Sequence, residues 1–209
     1  MPCPVVIVDR VPDNIVQAAY SAVHTLYIEV CGDLEFLDPE DTTFTLTHLS
    51  PGPVLDLGCG PGHFTKFLTD AGVPAIGIDM VPEFITHARA TYPGIGFELG
   101  SLRTLDAPTA SVAAILAWFS LIHLDPTELP AVLAEFHRVL TPGGRLVVGF
   151  FESTDEVEPF PHKVTTAYRW PADRLSETLR RAGFTELARL HHPTAGDVRP
   201  YAALALAKS

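Results

Sequence analysis

The chain has 209 residues, of which 47% are hydrophobic, enough for one large domain with a substantial core. With 14 basic and 25 acidic residues its formal net charge is −11, so we expect neither a nucleic-acid partner nor an anionic membrane surface. Three widely spaced cysteines, Cys3, Cys31 and Cys59, predict neither a disulfide scaffold nor a thiolate zinc site. The N-terminus lacks a basic leader, and no stretch approaches the roughly 18 apolar residues that span a bilayer, so we expect a cytoplasmic protein.

The first 50 residues are predicted to form a helical cap. A helix is expected to begin at Asp13, a good N-cap residue, and to stop at Gly32. Its apolar residues recur at helical spacing on one stripe: Ile15, Ala18, Ala19, Ala22, Leu26 and Val30. Residues 38–49 predict a second, shorter helix, and "SPGP" at residues 50–53 predicts a turn.

From residue 53 onward, strand patterns alternate with helix patterns. The predicted strands cover residues 53–57, 74–79, 95–99, 111–118, 145–151, 163–170, 185–192 and 201–208. The predicted helices cover residues 62–72, 82–94, 130–140 and 171–183, with a turn at 141–144. This alternation predicts a parallel sheet with helices on both faces, and the two late strands predict an antiparallel pair at one edge. We therefore expect one three-layer α/β domain, with residues 1–50 as the cap and residues 51–209 as the core.

A glycine loop directly follows the first strand of the alternating pattern. Gly58, Gly60 and Gly62 would expose bare backbone where a helix begins, at the edge where parallel sheets bind ligands. Asp79 ends the second strand, 17 residues after Gly62, and is placed to accept both hydroxyls of a ribose. The loop therefore predicts a ligand that contains a nucleoside.

Enzymes that bind dinucleotides share this logic, but three details differ here. The loop reads G-x-G-x-G instead of G-x-G-x-x-G, and no Tyr-x-x-x-Lys sequence occurs. Asp56 lies inside the first strand, where it would repel a pyrophosphate but attract an ammonium group. S-adenosylmethionine, which has a ribose and an ammonium group but no pyrophosphate, fits these features.

Further motifs follow in the same order and spacing as in a known family. The chain resembles the class I S-adenosylmethionine-dependent methyltransferases over residues 50–207, through "VLDLGCGPG", "GIDM", "FELGSL", "LAWFSLIHL" and "FHRVLTPGGRLVVGF". The resemblance implies a Rossmann-like seven-stranded sheet in the order 3-2-1-4-5-7-6 with strand 7 antiparallel. It also implies an enzyme that acts as a monomer or homodimer.

The resemblance implies roles for particular residues at the cofactor site. Gly58, Gly60 and Gly62 would pass under the methionine and ribose, Asp56 would reach the ammonium group directly or through water, and Asp79 would hold the ribose. The remaining implied contacts are Met80, Ser101 and Leu102 around the adenine, the backbone of Ala117 and Trp118 at the methionine end, and Tyr20 above the cofactor.

Methyl transfer needs a base only when the acceptor must lose a proton. The candidates at the strand ends are His123, Glu152, His162 and Tyr168. Histidine has an ordinary pKa of about 6.5, which suits proton uptake near neutrality, so His123 and His162 are the predicted catalytic residues. We expect both to face a pocket walled by the N-terminal helix, with Tyr20 and Tyr27, and by the long segment 151–168.

Several classes of acceptor lack their motifs in this sequence. The single asparagine, Asn14, leaves no [ND]-P-P-[YF] motif and no Asp/Asp/Asn magnesium cluster, and the only Pro-Cys pair lies at the N-terminus. The nine histidines show no His-x-x-x-His spacing, so no metal is expected. Metal-independent methylation of a small molecule at oxygen or nitrogen remains, and the alternative is a module that binds S-adenosylmethionine without activity of its own.

Overall fold

The computed structural model describes residues 13–209 except residues 195 and 197. This part of the chain has one short 3-10 helix (Leu34–Phe36) and six α-helices: α1 (Asp13–Cys31), α2 (Pro39–His48), α3 (His63–Asp70), α4 (Pro82–Thr91), α5 (Leu129–Val139) and α6 (Ala172–Arg181). The strands are β1 (Val54–Leu57), β2 (Ala75–Asp79), β3 (Gly96–Leu99), β4 (Val112–Trp118), β5 (Leu140–Phe151), β6 (Glu158–Pro161), β7 (Thr166–Arg169), β8 (Phe184–His192) and β9 (Tyr201–Lys208).

Seven of these strands form one sheet in the order β3-β2-β1-β4-β5-β9-β8. Neighbouring strands pair in parallel across the sheet from β3 through β2, β1 and β4 to β5. The strand β9 lies antiparallel to both β5 and β8. Numbered within this sheet alone, the order is 3-2-1-4-5-7-6 with strand 7 antiparallel, which confirms the predicted fold class. The predicted division into cap and core at residue 50 stays a prediction.

The alternation of side chains along β1 shows how helices cover both faces of the sheet. All four residues of β1 are buried. Leu55 and Leu57 belong to the larger hydrophobic cluster, which also takes in the buried faces of α5 and α6. Val54 packs on the opposite face against Phe64 and Leu68 of α3. A short parallel strand buried on both faces therefore directs Asp56, two residues after Val54, toward α3.

The chain departs from the predicted elements at two places. The predicted turn at 141–144 lies within the bounds of β5, where Gly143 has φ +72° and the pairing of β4 with β5 shifts register. Segment 151–168 contains a short antiparallel hairpin, β6–β7, as a second sheet. The predicted strand at 163–170 is thus half of this hairpin and not a member of the main sheet.

The apolar stripe that the sequence shows along α1 faces outward in the structure. Ile15, Leu26 and Val30 are between 49% and 61% exposed. The buried Val16 and the half-buried Tyr20 and Tyr27 occupy the inner side instead. Ring contacts of Tyr20 and Tyr27 with Phe84 of α4 hold this side against the core.

The cysteines and the helices carry two further findings. Cys31 and Cys59 are free thiols, and Cys3 lies outside the described residues. None of the helices that the structure describes combines the length and the apolar character that a membrane crossing requires.

Candidate active site

The glycine loop between β1 and α3 makes two close approaches that leave no room for a side chain. Gly58 has φ +75°, and a Cβ atom there would lie 2.4 Å from the Cβ of Ser120 after β4. Gly62 has φ +91°, and a Cβ atom there would lie 2.7 Å from the ring of Phe97. Gly62 is also the N-cap of α3 and provides no side-chain hydrogen bond, so the first N–H groups of α3 have no side-chain cap.

Asp79, at the end of β2, holds the glycine loop in place. Its two carboxylate oxygens accept hydrogen bonds from the N–H of Gly60 and the N–H of Val81, each at 2.8 Å. Burial raises the pKa of Asp79 to about 6, although these N–H donors oppose the shift. Each oxygen keeps a second lone pair, so the carboxylate can still accept hydroxyl groups from a ligand.

Asp56 is more deeply buried, with 1% of its surface exposed. The hydroxyl of Thr65 on α3 donates to its carboxylate at 2.6 Å. Burial raises the pKa of Asp56 to about 7, and the hydrogen bond from Thr65 opposes this shift. Asp56 is thus buried two residues before the glycine loop, and its predicted contact with an ammonium group stays a prediction.

The other predicted cofactor residues lie at or just after the ends of β2, β3 and β4, at the same edge of the sheet. Met80 and Ser101 are half-buried, and Leu102 and Ala117 are buried. The ring of Trp118 packs on Phe64, with centroids 5.6 Å apart, so its side chain fills the core. The structure thus brings these residues to the edge that carries the glycine loop, and their roles toward a cofactor stay predictions.

Tyr20 and His123 form a direct hydrogen bond that the sequence did not indicate. Nδ1 of His123 lies 2.7 Å from the carbonyl oxygen of Thr166, and Nε2 lies 2.9 Å from the hydroxyl of Tyr20. A carbonyl only accepts, so Nδ1 carries the proton; in the neutral ring, Nε2 then accepts from Tyr20. Burial lowers the pKa of His123, which favours this neutral form.

His162 lies between β6 and β7 with its ring 5.5 Å from that of His123. Its Nδ1 atom is buried without a hydrogen-bond partner among the described residues. Burial lowers the pKa of His162 to about 4, and His123, Arg199 and Lys163 contribute in the same direction. The structure therefore brings Tyr20, His123 and His162 together.

Two other candidates for a base are already engaged. The hydroxyl of Tyr168 donates to Asp125 at 3.1 Å, and Tyr168 is buried. The carboxylate of Glu152 lies 3.0 Å from Nδ1 of His191 on β8. Sequence reasoning did not single out Phe119 and Phe151, whose rings are in contact close to this site. Phe119 has φ +53°, a conformation that no sequence pattern signals for a bulky residue.

One group of possible metal ligands occurs within the described part of the chain. Ligand atoms of Asp38, Asp41 and His192 lie within 4.8 Å of one another. All three have other partners: Asp38 caps α2, and Asp41 accepts from His192 and from Tyr201 at 2.9 and 3.0 Å. The group ties α2 to the ends of β8 and β9, and the expectation of no metal stays a prediction.

Comparison with known proteins identifies the domain type. Residues 54–144 match the family described as methyltransferase domain. The chain is 32% identical over 148 residues to "Probable S-adenosylmethionine-dependent methyltransferase" of Mycolicibacterium smegmatis, covering 66% of this chain and 54% of that protein. It is 33% identical over 117 residues to trans-aconitate 2-methyltransferase of Rhizobium meliloti, covering 52% and 42%. The chain thus spans about half the length of these relatives.

A solved structure shares the fold over the whole chain. The 1,6-didemethyltoxoflavin-N1-methyltransferase of Burkholderia thailandensis, bound to 1,6-didemethyltoxoflavin and S-adenosylhomocysteine, superposes with a TM-score of 0.77. The two chains are 22% identical, and the match covers 100% of this chain and 93% of that one. Residues 54–144 thus match the methyltransferase-domain family, and the chain has the class I methyltransferase fold.

Proposed function

We propose that the protein binds S-adenosylmethionine and transfers its methyl group to an oxygen or nitrogen of a small molecule, without a metal. The observation that carries this proposal is the hydrogen bond from Gly60 to Asp79, which joins the ribose-binding acid to the glycine loop at the carboxyl edge of the sheet. An acid at this point favours a ribose, and the N-terminus of α3 favours polar or anionic groups. The family match over residues 54–144 supports the same assignment.

The cofactor would lie along the carboxyl ends of β1, β2, β3 and β4. Gly58, Gly60 and Gly62 would allow close approach to its methionine and ribose, and Asp79 would accept the ribose hydroxyls. Asp56 would reach the ammonium group directly or through water. The adenine would be surrounded by Met80, Ser101 and Leu102. The methionine end would contact the backbone of Ala117 and Trp118, and Tyr20 would lie on the side of α1.

The bound cofactor would supply an activated methyl group, so the protein chiefly orients the acceptor and excludes water. His123 and His162 would handle the acceptor proton. Both rings are neutral at pH 7 because burial lowers their pKa values. The hydroxyl of Tyr20 donates to Nε2 of His123, so this nitrogen already has a partner. By contrast, the Nδ1 of His162 lacks a partner among the described residues. His162 is therefore the better placed of the two to contact an acceptor.

The cofactor assignment is tested by thermal unfolding with S-adenosylhomocysteine. A ligand at one hundred times its Kd stabilises a protein by about 2.7 kcal/mol, so the melting temperature should rise clearly. Asp79→Asn keeps one oxygen as an acceptor for the loop but loses the charge, and it should abolish most of this rise. Asp106→Asn, an exposed acid in the β3–β4 connection, is the matched control and should leave the rise unchanged.

A rise with NAD in place of S-adenosylhomocysteine would contradict the proposal. Transfer of labelled methyl from S-adenosylmethionine to added acceptors then separates an enzyme from a binding module without activity. The grouping of Tyr20, His123 and His162 at the strand ends favours the enzyme, because a binding module would not need groups that can handle a proton there.

A further inference from the structure

A group of aromatic and imidazole rings lies beside the proposed methyl-transfer site. We call Tyr20, Phe119, His123, Phe151, Phe160 and His162 the ring wall. His162 stands at its centre, with its ring centroid 5.5 Å from His123, 5.8 Å from Phe151 and 6.1 Å from Phe160. Tyr20 continues the wall from His123 at 5.5 Å, and Phe119 continues it from Phe151 at 4.9 Å. The wall joins α1 to the ends of β4 and β5 and to the β6–β7 hairpin.

The rings of the wall are flat and neutral, and the guanidinium groups of Arg169 and Arg199 lie 5.9 and 5.2 Å from the ring centroid of Phe160. Tyr20 keeps its proton, because burial raises its pKa well above the ordinary value. Two acids of the adjoining segments are engaged: Asp125 accepts from Tyr168 and Thr127, and Glu152 pairs with His191. A cationic amine would therefore have to compete with these partners for either acid. A flat aromatic molecule would instead gain ring contacts, which are favourable beyond the burial of apolar surface.

One polar atom in the wall lacks a partner within the described chain. The Nδ1 of His162 is buried, and a buried polar atom without a hydrogen-bond partner is destabilising. By contrast, both ring nitrogens of His123 are engaged, by Thr166 and by Tyr20. A ligand whose O–H or N–H points at His162 would remove this cost. The wall thus offers ring faces together with one hydrogen-bonding position.

From this arrangement we infer that the methyl acceptor is a flat aromatic or heteroaromatic molecule that carries no positive charge and whose O–H or ring N–H donates to Nδ1 of His162. The inference deepens the proposed methyl transfer and rests on it. In the transfer, a bond forms between the acceptor oxygen or nitrogen and the methyl carbon. The carbon–sulfur bond of the sulfonium breaks, its electron pair stays on sulfur, and the acceptor proton passes to Nδ1 of His162 and then to water.

The weak basicity of His162 suits such an acceptor. Its pKa of about 4 keeps the ring neutral at pH 7, with a lone pair available. Methylation of a neutral oxygen or ring nitrogen creates a cation whose proton is strongly acidic. A weak base is therefore enough, because the proton is accepted as the positive charge develops and not before.

The experiment measures acceptor binding by calorimetry on the protein saturated with S-adenosylhomocysteine. Four probes differ in shape and charge: 1,6-didemethyltoxoflavin and 8-hydroxyquinoline are flat heteroaromatics, trans-aconitate is a tricarboxylate and histamine is a cationic amine. We expect at least one flat probe to bind about tenfold or more tightly than either charged probe. When the protein is incubated with S-adenosylmethionine and the same flat probe, S-adenosylhomocysteine should form as the product of methyl transfer.

Variants then assign the binding to the ring wall. His162→Ala should weaken the flat probe about three- to tenfold, as expected for the loss of one hydrogen bond. Phe151→Leu keeps apolar bulk but removes a ring, and it should also weaken the flat probe. Phe36→Ala removes a phenylalanine that is 60% exposed and outside the wall, so it should change nothing. Binding of S-adenosylhomocysteine should stay within a few-fold in all three variants.

The outcomes separate this inference from the proposed function. Failure of S-adenosylhomocysteine to bind would remove the proposed function itself. Normal cofactor binding with trans-aconitate or histamine as the tightest probe would overturn the aromatic acceptor. Normal cofactor binding with no binding of either flat probe would also overturn the aromatic acceptor. So would a flat probe that binds with the same affinity after His162→Ala and after Phe151→Leu.

Discussion

Asp56 and Asp79 are buried acids whose protonation should be coupled to cofactor binding. Without a cation beside them, both have raised pKa values, about 7 for Asp56 and about 6 for Asp79. A carboxyl that holds its proton more tightly when folded than when unfolded stabilises the fold at low pH. That contribution is lost as pH rises from about 4 to about 7, through the pKa values of the unfolded and folded states.

We therefore predict that cofactor affinity rises with pH over the same window. The ammonium group and the ribose hydroxyls favour ionised carboxylates, so binding should release protons. With a pKa of about 6, roughly one tenth of Asp79 is ionised at pH 5, so S-adenosylhomocysteine should bind at least about tenfold more weakly there than at pH 8, and Asp56, with a pKa of about 7, adds to this effect. Calorimetry at pH 6.5 in buffers of different ionisation enthalpy measures the proton release directly. Proton uptake, or an affinity that is level with pH, would contradict this coupling.

Residue patterns reveal chemistry better than they reveal partners. Asp79 was predicted to end the second strand, and it is the last residue of β2 in the structure. The bond from Gly60 to that acid spans 19 residues and leaves no mark in either local pattern. The sequence likewise did not indicate that Thr65 of α3 donates to Asp56 of β1, because this contact depends on the packing of α3 against β1.

At the scale of elements, α1 shows that an amphipathic pattern does not by itself identify the side of a helix that is buried. Apolar residues recur at helical spacing on two sides of this helix, and the pattern alone does not say which side meets the core. Aromatic side chains decide the matter, because Tyr20 and Tyr27 pack on Phe84 of α4. The smaller aliphatic stripe is left on the outside.

A matched pair of leucines tests this orientation. Leu26 of α1 is 61% exposed, whereas Leu68 of α3 is fully buried. We expect Leu26→Ala to change the free energy of unfolding by less than about 0.5 kcal/mol. Leu68→Ala should lower it by about 2–5 kcal/mol, because it leaves a cavity in the core. Urea unfolding monitored by circular dichroism gives both values, and equal losses would show that α1 buries the stripe that we describe as exposed.

The β6–β7 hairpin was missed for a different reason. Each of its strands has four residues, and prolines occupy positions 159 and 161 of β6. Proline removes a backbone donor, so a strand with two of them reads as a loop. The pairing of Phe160 with Ala167 that closes the hairpin depends on contacts with Ile122 and Phe151, which come from elsewhere in the chain.

At the scale of the whole molecule, the net charge of −11 bears on partners more than on fold. The phosphate backbone of DNA or RNA is held mainly by Lys and Arg, and several arginines here are paired with acids, such as Arg180 and Arg181 with Glu177. We predict that the protein does not retard DNA or RNA in a gel at low salt, where electrostatic binding is strongest. A retarded band that disappears in 200 mM salt would show a basic surface that the charge balance conceals.

The sequence by itself determined the parallel α/β core, the glycine loop and the acids beside it, because each rests on a local pattern: strand and helix periodicity, bare backbone, and a residue at a strand end. The tertiary structure decided which side of α1 faces inward, that a hairpin lies across the end of β5, and that Tyr20 meets His123 from 103 positions away. These features depend on contacts between half-buried side chains of distant segments. Such contacts have no period along the chain, so only the packed structure reveals them.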